Sequence, residues 1–106
     1  MNDERIHAFK MQLKPGFVAE YKKRHDELWP ELRELLTMAG IIEYYIFLDE
    51  ATLALFAFQK VAAPDTTAEL AALPIMKRWW DYMADLMEVN PDNSPVVAAC
   101  PEMFRL

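Results

Sequence analysis

The chain has 106 residues, enough for one domain with one core and too few for two. Hydrophobic residues make up 54% of it, including three Trp, four Tyr and six Phe; one small globule hides less than this, so self-association is expected. With a net charge of −6 and Lys and Arg scattered among acids, the surface repels phosphate backbones, which argues against nucleic acid as a partner.

The N-terminal Met1-Asn2-Asp3-Glu4-Arg5 is acidic and has none of the pattern of a signal peptide, and no apolar run approaches a membrane span. A cytoplasmic protein is the expectation. From Arg5 to Leu13 the residues alternate, with His7, Phe9, Met11 and Leu13 on one face and Ile6, Ala8, Lys10 and Gln12 on the other, which predicts a first strand. Lys14-Pro15-Gly16 ends it, and Pro15 suits the first turn of a following helix, where its missing N–H is no loss.

At 100° per residue, Val18, Tyr21, His25, Leu28, Trp29, Leu32, Leu35 and Leu36 fall within an arc of about 120°. That predicts one amphipathic helix, bent at Pro30 and ended by Ala39-Gly40, with the glycine suited to a left-handed C-cap. Ile41–Asp49 and Leu53–Gln59 follow as a hairpin of β-branched and aromatic residues around Glu50-Ala51-Thr52. Both faces of this hairpin are apolar. Helices can cover one, but the chain has no spare elements for the other, so a second copy of the protein is expected to cover it.

Residues 62–67 read as a Pro-containing loop, with Asp65 or Thr66 able to cap a short helix reaching Leu73 before Pro74. A further helix is predicted from Ile75 to Val89, with Ile75, Trp79, Tyr82, Met83 and Leu86 on its apolar face and Trp80 at the edge. Asn90-Pro91-Asp92-Asn93-Ser94-Pro95 is a run of turn formers, and a short last strand lies within Ala98 to Leu106. The order β, α, β, β, α, α, β is an α+β arrangement of ferredoxin-like type, an antiparallel sheet with helices on one face. Two such sheets packed face to face would make a dimeric α+β barrel.

Tyr21 and His25 are one helical turn apart in the middle of an apolar face, where Leu or Val is ordinary. An imidazole with an ordinary pKa near 6.5 exchanges protons at neutral pH, and a phenol beside it can donate a hydrogen bond. On the residues alone, a catalytic pair and a core His bonded to a backbone carbonyl stand equal. For Trp79-Trp80, core packing is the stronger reading, although two adjacent indoles also line wet pockets and stack on the flat C–H faces of sugars. Tyr44 can face the helices or the barrel mouth, Tyr45 reads as a cross-strand packing residue, and His7 as a structural His whose ring is satisfied. Cys100 is the only cysteine and has no neighbours at metal-ligand spacing. Without HExxH, CxxC, a glycine-rich phosphate loop or a Ser nucleophile motif, the sequence points away from metal, nucleotide and acyl-enzyme chemistry, leaving acid–base work or binding.

Along nearly its whole length the chain resembles the L-rhamnose mutarotase family. The resemblance is carried by His7-Ala8-Phe9-Lys10-Met11-Gln12-Leu13, Glu20-Tyr21-Lys22-Lys23-Arg24-His25 with Trp29-Pro30-Glu31-Leu32, Tyr44 to Asp49, Arg78-Trp79-Trp80 with Tyr82-Met83, and Asn90 to Pro95. It implies a homodimeric α+β barrel that interconverts the α and β anomers of L-rhamnose without metal or cofactor. It also implies His25 as proton donor and Tyr21, Tyr44, Trp79 and Trp80 as sugar-binding residues. The reaction needs an acid and a base near neutral pH, which an imidazole and a phenol supply. Two readings of other classes stay open at this level: a non-catalytic binding domain on the same scaffold, and a cofactor-independent monooxygenase.

Overall fold

The structure, a computed structural model, describes residues 4–106; residues 1–3, on which much of the reading of the N-terminus rests, lie outside it. Its elements are β1 (Arg5–Gln12), α1 (Val18–Asp26), α2 (Pro30–Met38), β2 (Ile41–Asp49), β3 (Ala54–Val61), a 3-10 helix (Thr67–Ala72), α3 (Pro74–Met83) and β4 (Ala98–Ala99). The strands pair antiparallel in the order β2-β3-β1-β4, the arrangement of a ferredoxin-like sheet.

Strand alternation sorts the residues into two faces. Met11, Leu55 and Leu48 align across β1, β3 and β2, as do Phe9, Ala57 and Ile46, and these rows turn toward the helices. They pack with Leu32 of α2, with Ile75, Met76, Trp79 and Met83 of α3, and with Leu86 to form the core. Tyr45, Phe47, Phe58 and Ile6 point the other way and are exposed. Rings there are in contact, Tyr45 with Phe47 at 6.2 Å and Phe47 with Phe58 at 6.0 Å between centroids.

The single helix expected from residue 18 onward is two helices. Pro30 is the first residue of α2, and Trp29 before it is extended at φ −59°, ψ 129°. A residue preceding proline is pushed out of the α region, so the chain breaks where a bend was expected. Leu28 and Trp29 still point inward, which is why the apolar arc runs on through the gap. Gly40 follows α2 with φ +108°, as its C-cap reading required.

The last helix is shorter than its periodicity implied. It stops at Met83, because the backbone beyond is drawn to the end of β1: Lys14 N–H donates to Leu86 O, and Glu88 N–H to Gln12 O. Leu86 is fully buried all the same. Tyr82, expected on the apolar face, lies half-exposed on the rim. The loop after β3 is held by Asp65, whose Oδ1 accepts from the backbone and hydroxyl of Thr67, so that Asp65 anchors the 3-10 turn from two residues away. No helix among the described residues is long and apolar enough to cross a membrane.

Candidate active site

Helix α1 presents Tyr21 and His25 to the space above the sheet. Their rings stack at 4.3 Å with 28° between planes, as the one-turn spacing allows. Nδ1 of His25 lies 3.1 Å from the carbonyl oxygen of Tyr21. A carbonyl only accepts, so Nδ1 carries the proton and Nε2 is left with the lone pair. Trp79 of α3 meets the imidazole edge-on at 5.4 Å and meets Trp29 in the same way at 5.1 Å.

Burial sets the protonation states. Desolvation pushes the His25 imidazole below its ordinary value, and the Tyr21 carbonyl and Asp26 offset this only in part. The same desolvation, reinforced by the nearby Tyr44, pushes the Tyr21 phenol far above its ordinary value. At neutral pH the pair therefore consists of an uncharged imidazole that accepts a proton and an uncharged phenol that donates a hydrogen bond.

Tyr44 points to the helix side of the sheet, opposite Gln59 in the β2–β3 register. As a residue it is 37% exposed, yet its phenol is raised by desolvation and brought partly back by a hydrogen bond with Gln59. Trp80 is half-buried beside its fully packed neighbour Trp79. An open cleft of about 1250 Å³ runs from the space between sheet and helices out to the C-terminal segment, and Tyr21, His25, Tyr44, Trp79 and Trp80 all line it. The five residues singled out from the sequence are thus brought to one space. Trp79 is at once core and pocket wall, which dissolves the choice posed for it.

The site is held from outside by Arg24. Its guanidinium donates to Glu20 at 2.7 Å, to the backbone carbonyl of Tyr82 and to Asp85 at 3.1 Å, and lies 4.4 Å from the centre of the Tyr82 ring. These contacts bridge α1 to the end of α3 and so set the spacing between imidazole and indole. His7, read as structural, finds its partner in Asp65 at 2.7 Å. Gln59 was missed by the sequence reading. The signal was present: in the apolar run from Leu53 it is the first polar residue, and alternation places it with Leu55 and Ala57 on the helix side.

A family model described as L-rhamnose mutarotase matches residues 6–106. An L-rhamnose mutarotase of Formosa agariphila is 56% identical over 99 residues, covering 93% of this chain and 95% of that protein. Its counterparts in Bacteroides thetaiotaomicron and Phocaeicola vulgatus are 54% and 52% identical over the same coverage. A crystal structure of an L-rhamnose mutarotase from Formosa agariphila matches the fold with a TM-score of 0.89 at 53% identity, over 96% of this chain and 98% of that one.

Proposed function

The chain belongs to the L-rhamnose mutarotase family, and on that premise we propose that it is an isomerase interconverting the α and β anomers of L-rhamnopyranose, with His25 as its acid–base residue. The observation that carries the mechanism is the state of that imidazole: Nδ1–H tied to a backbone carbonyl, Nε2 bearing the lone pair, and the ring kept neutral by burial. In the α anomer, Nε2 takes the proton of the anomeric hydroxyl. The electron pair left on that oxygen forms the carbonyl as the bond from C1 to the ring oxygen breaks. The imidazolium then donates its proton to the ring oxygen, which shares C1 with the hydroxyl and so lies within reach of the same nitrogen. Rotation about the C1–C2 bond presents the other carbonyl face, and the reverse transfers close the β anomer. In this scheme His25 is base and then proton donor in each direction.

Tyr21 and Tyr44, protonated throughout, donate hydrogen bonds to the sugar, while Trp79 and Trp80 offer indole walls for its C–H faces. Proton transfer by a placed imidazole is worth about 10²–10⁴-fold, a fitting scale for a reaction already spontaneous in water. The 106 residues act as one mutarotase domain. We place it in the cytoplasm, in keeping with its single, unpaired Cys100. The active form is a homodimer joined through the outer face of the sheet, a reading supported by the exposed Tyr45, Phe47 and Phe58.

Saturation-transfer NMR at the anomeric protons of L-rhamnose tests the activity. Exchange between the two resonances is expected to accelerate with enzyme concentration. Sugar that binds without any acceleration would place the protein among plain binding domains.

A further inference from the structure

Cross-strand register divides the helix-facing side of the sheet into rows, and one row differs from the rest. Met11–Leu55–Leu48 and Phe9–Ala57–Ile46 are wholly apolar, whereas His7–Gln59–Tyr44 is polar at all three strands. Three polar side chains in line on the helix-facing side of a sheet call for hydrogen-bond partners, in the protein or in the cavity they border. His7 meets Asp65, which is itself held by Thr67. That leaves Gln59 and Tyr44, directly opposed across an antiparallel pair, where Cβ atoms stand about 4.5–5.5 Å apart. Both line the cavity that holds His25.

A glutamine amide carries two N–H donors, and from its place directly across the strand pair Gln59 can donate one to the phenol oxygen of Tyr44, a bond that favours the phenolate and draws down a pKa that burial raises. In that arrangement the amide N–H of Gln59 gives and the phenol oxygen receives. A phenol held in this way cannot point its own hydrogen at Gln59, so the O–H is left to another acceptor.

We propose that Gln59 is a positioning residue for sugar recognition, fixing the Tyr44 phenol so that its O–H donates to a sugar hydroxyl in the pocket. The inference rests on the reading of this cavity as a sugar site. Gln59 acts through Tyr44 and not on the reacting atoms, so its loss weakens binding and leaves the proton transfers at His25 intact.

The test is a double-mutant cycle with Gln59→Leu, Tyr44→Phe and the combined variant. Kd for L-rhamnose is measured by calorimetry, and kcat and KM by NMR anomer exchange. Gln59→Leu should raise Kd and KM about fivefold, the scale of one lost hydrogen bond, with kcat held within about twofold. Added to Tyr44→Phe it should cost little more, since the phenol it positions is gone. Unchanged affinity in Gln59→Leu, or fully additive losses in the combined variant, would overturn the proposal. Gln59→Met, of similar length and without the N–H, serves if Leu disturbs folding, and should show the same losses. Wild-type protein that binds L-rhamnose without speeding its exchange would overturn the catalytic reading alone, since the Kd cycle still decides the role of Gln59. Wild-type protein that does not bind it would overturn both.

Discussion

His25 and Tyr21 sit one helical turn apart, and burial moves their acidities in opposite directions toward the same result, an uncharged pair. This fixes the pH dependence. In the proposed mechanism the imidazole works from its neutral form, and burial holds its folded pKa below the ordinary 6.5, so the midpoint of the acid-side fall in kcat/KM should lie below pH 6.5. On the alkaline side the raised Tyr21 phenol keeps its proton beyond its ordinary value of 10, so no loss is expected from it up to that pH. A profile of anomer exchange from pH 5 to 10 checks both limbs, and a half-maximum above pH 7 on the acid side would contradict the neutral-base assignment. Stability follows the same sign: the neutral His25 contributes in full above pH 6.5, and the contribution is lost as pH falls through 6.5 toward the depressed folded pKa. The positions of Tyr21 and His25 on an apolar arc were legible from spacing alone. Their protonation was not, because it depends on the lid of α3 and on the Tyr44 phenol, which reach them from residues far away in sequence.

Most elements were legible where periodicity and local stereochemistry agree. The hairpin of β2 and β3, with its two apolar faces, and the glycine ending α2 are cases of this. Periodicity failed where it is blind to backbone direction: an apolar arc continues across the break at Trp29, and Leu86 stays in the core after α3 has ended. Long-range pairing of the chain after α3 with the end of β1 decides that boundary, and no window of sequence contains both partners. Gly40 offers a test at this scale. It links α2 to β2 at φ +108°, and a Cβ there would lie 2.6 Å from the backbone carbonyl of Ala62. Gly40→Ala should therefore cost more than about 1 kcal/mol, through both the strained dihedral and the displaced carbonyl. Thermal or urea unfolding measures it, and an unchanged midpoint would show that the turn relaxes freely.

At the scale of the whole molecule, composition already held the main clue, since 54% hydrophobic residues exceed what one small core consumes. Part of the excess lies on the outer sheet face, where Phe47 is 58% exposed and touches Tyr45 and Phe58. A homodimer joined there predicts twice the chain mass by light scattering at micromolar concentration. Phe47→Glu should shift it toward monomer, because a charge buried against a second sheet is unpaired; a wild-type monomer would refute the interface. His25 and Tyr44 lie on the helix side of the sheet, so in the proposed dimer one layer would serve association on one face and chemistry on the other. Anomer exchange of L-rhamnose with wild-type protein and with His25→Ala is the decisive measurement for the role of the imidazole. Proton transfer by His25 requires fast exchange in the wild type and a loss of about 10²-fold or more in a variant whose circular dichroism and melting show an intact fold. Wild-type exchange rates in that folded variant would contradict it.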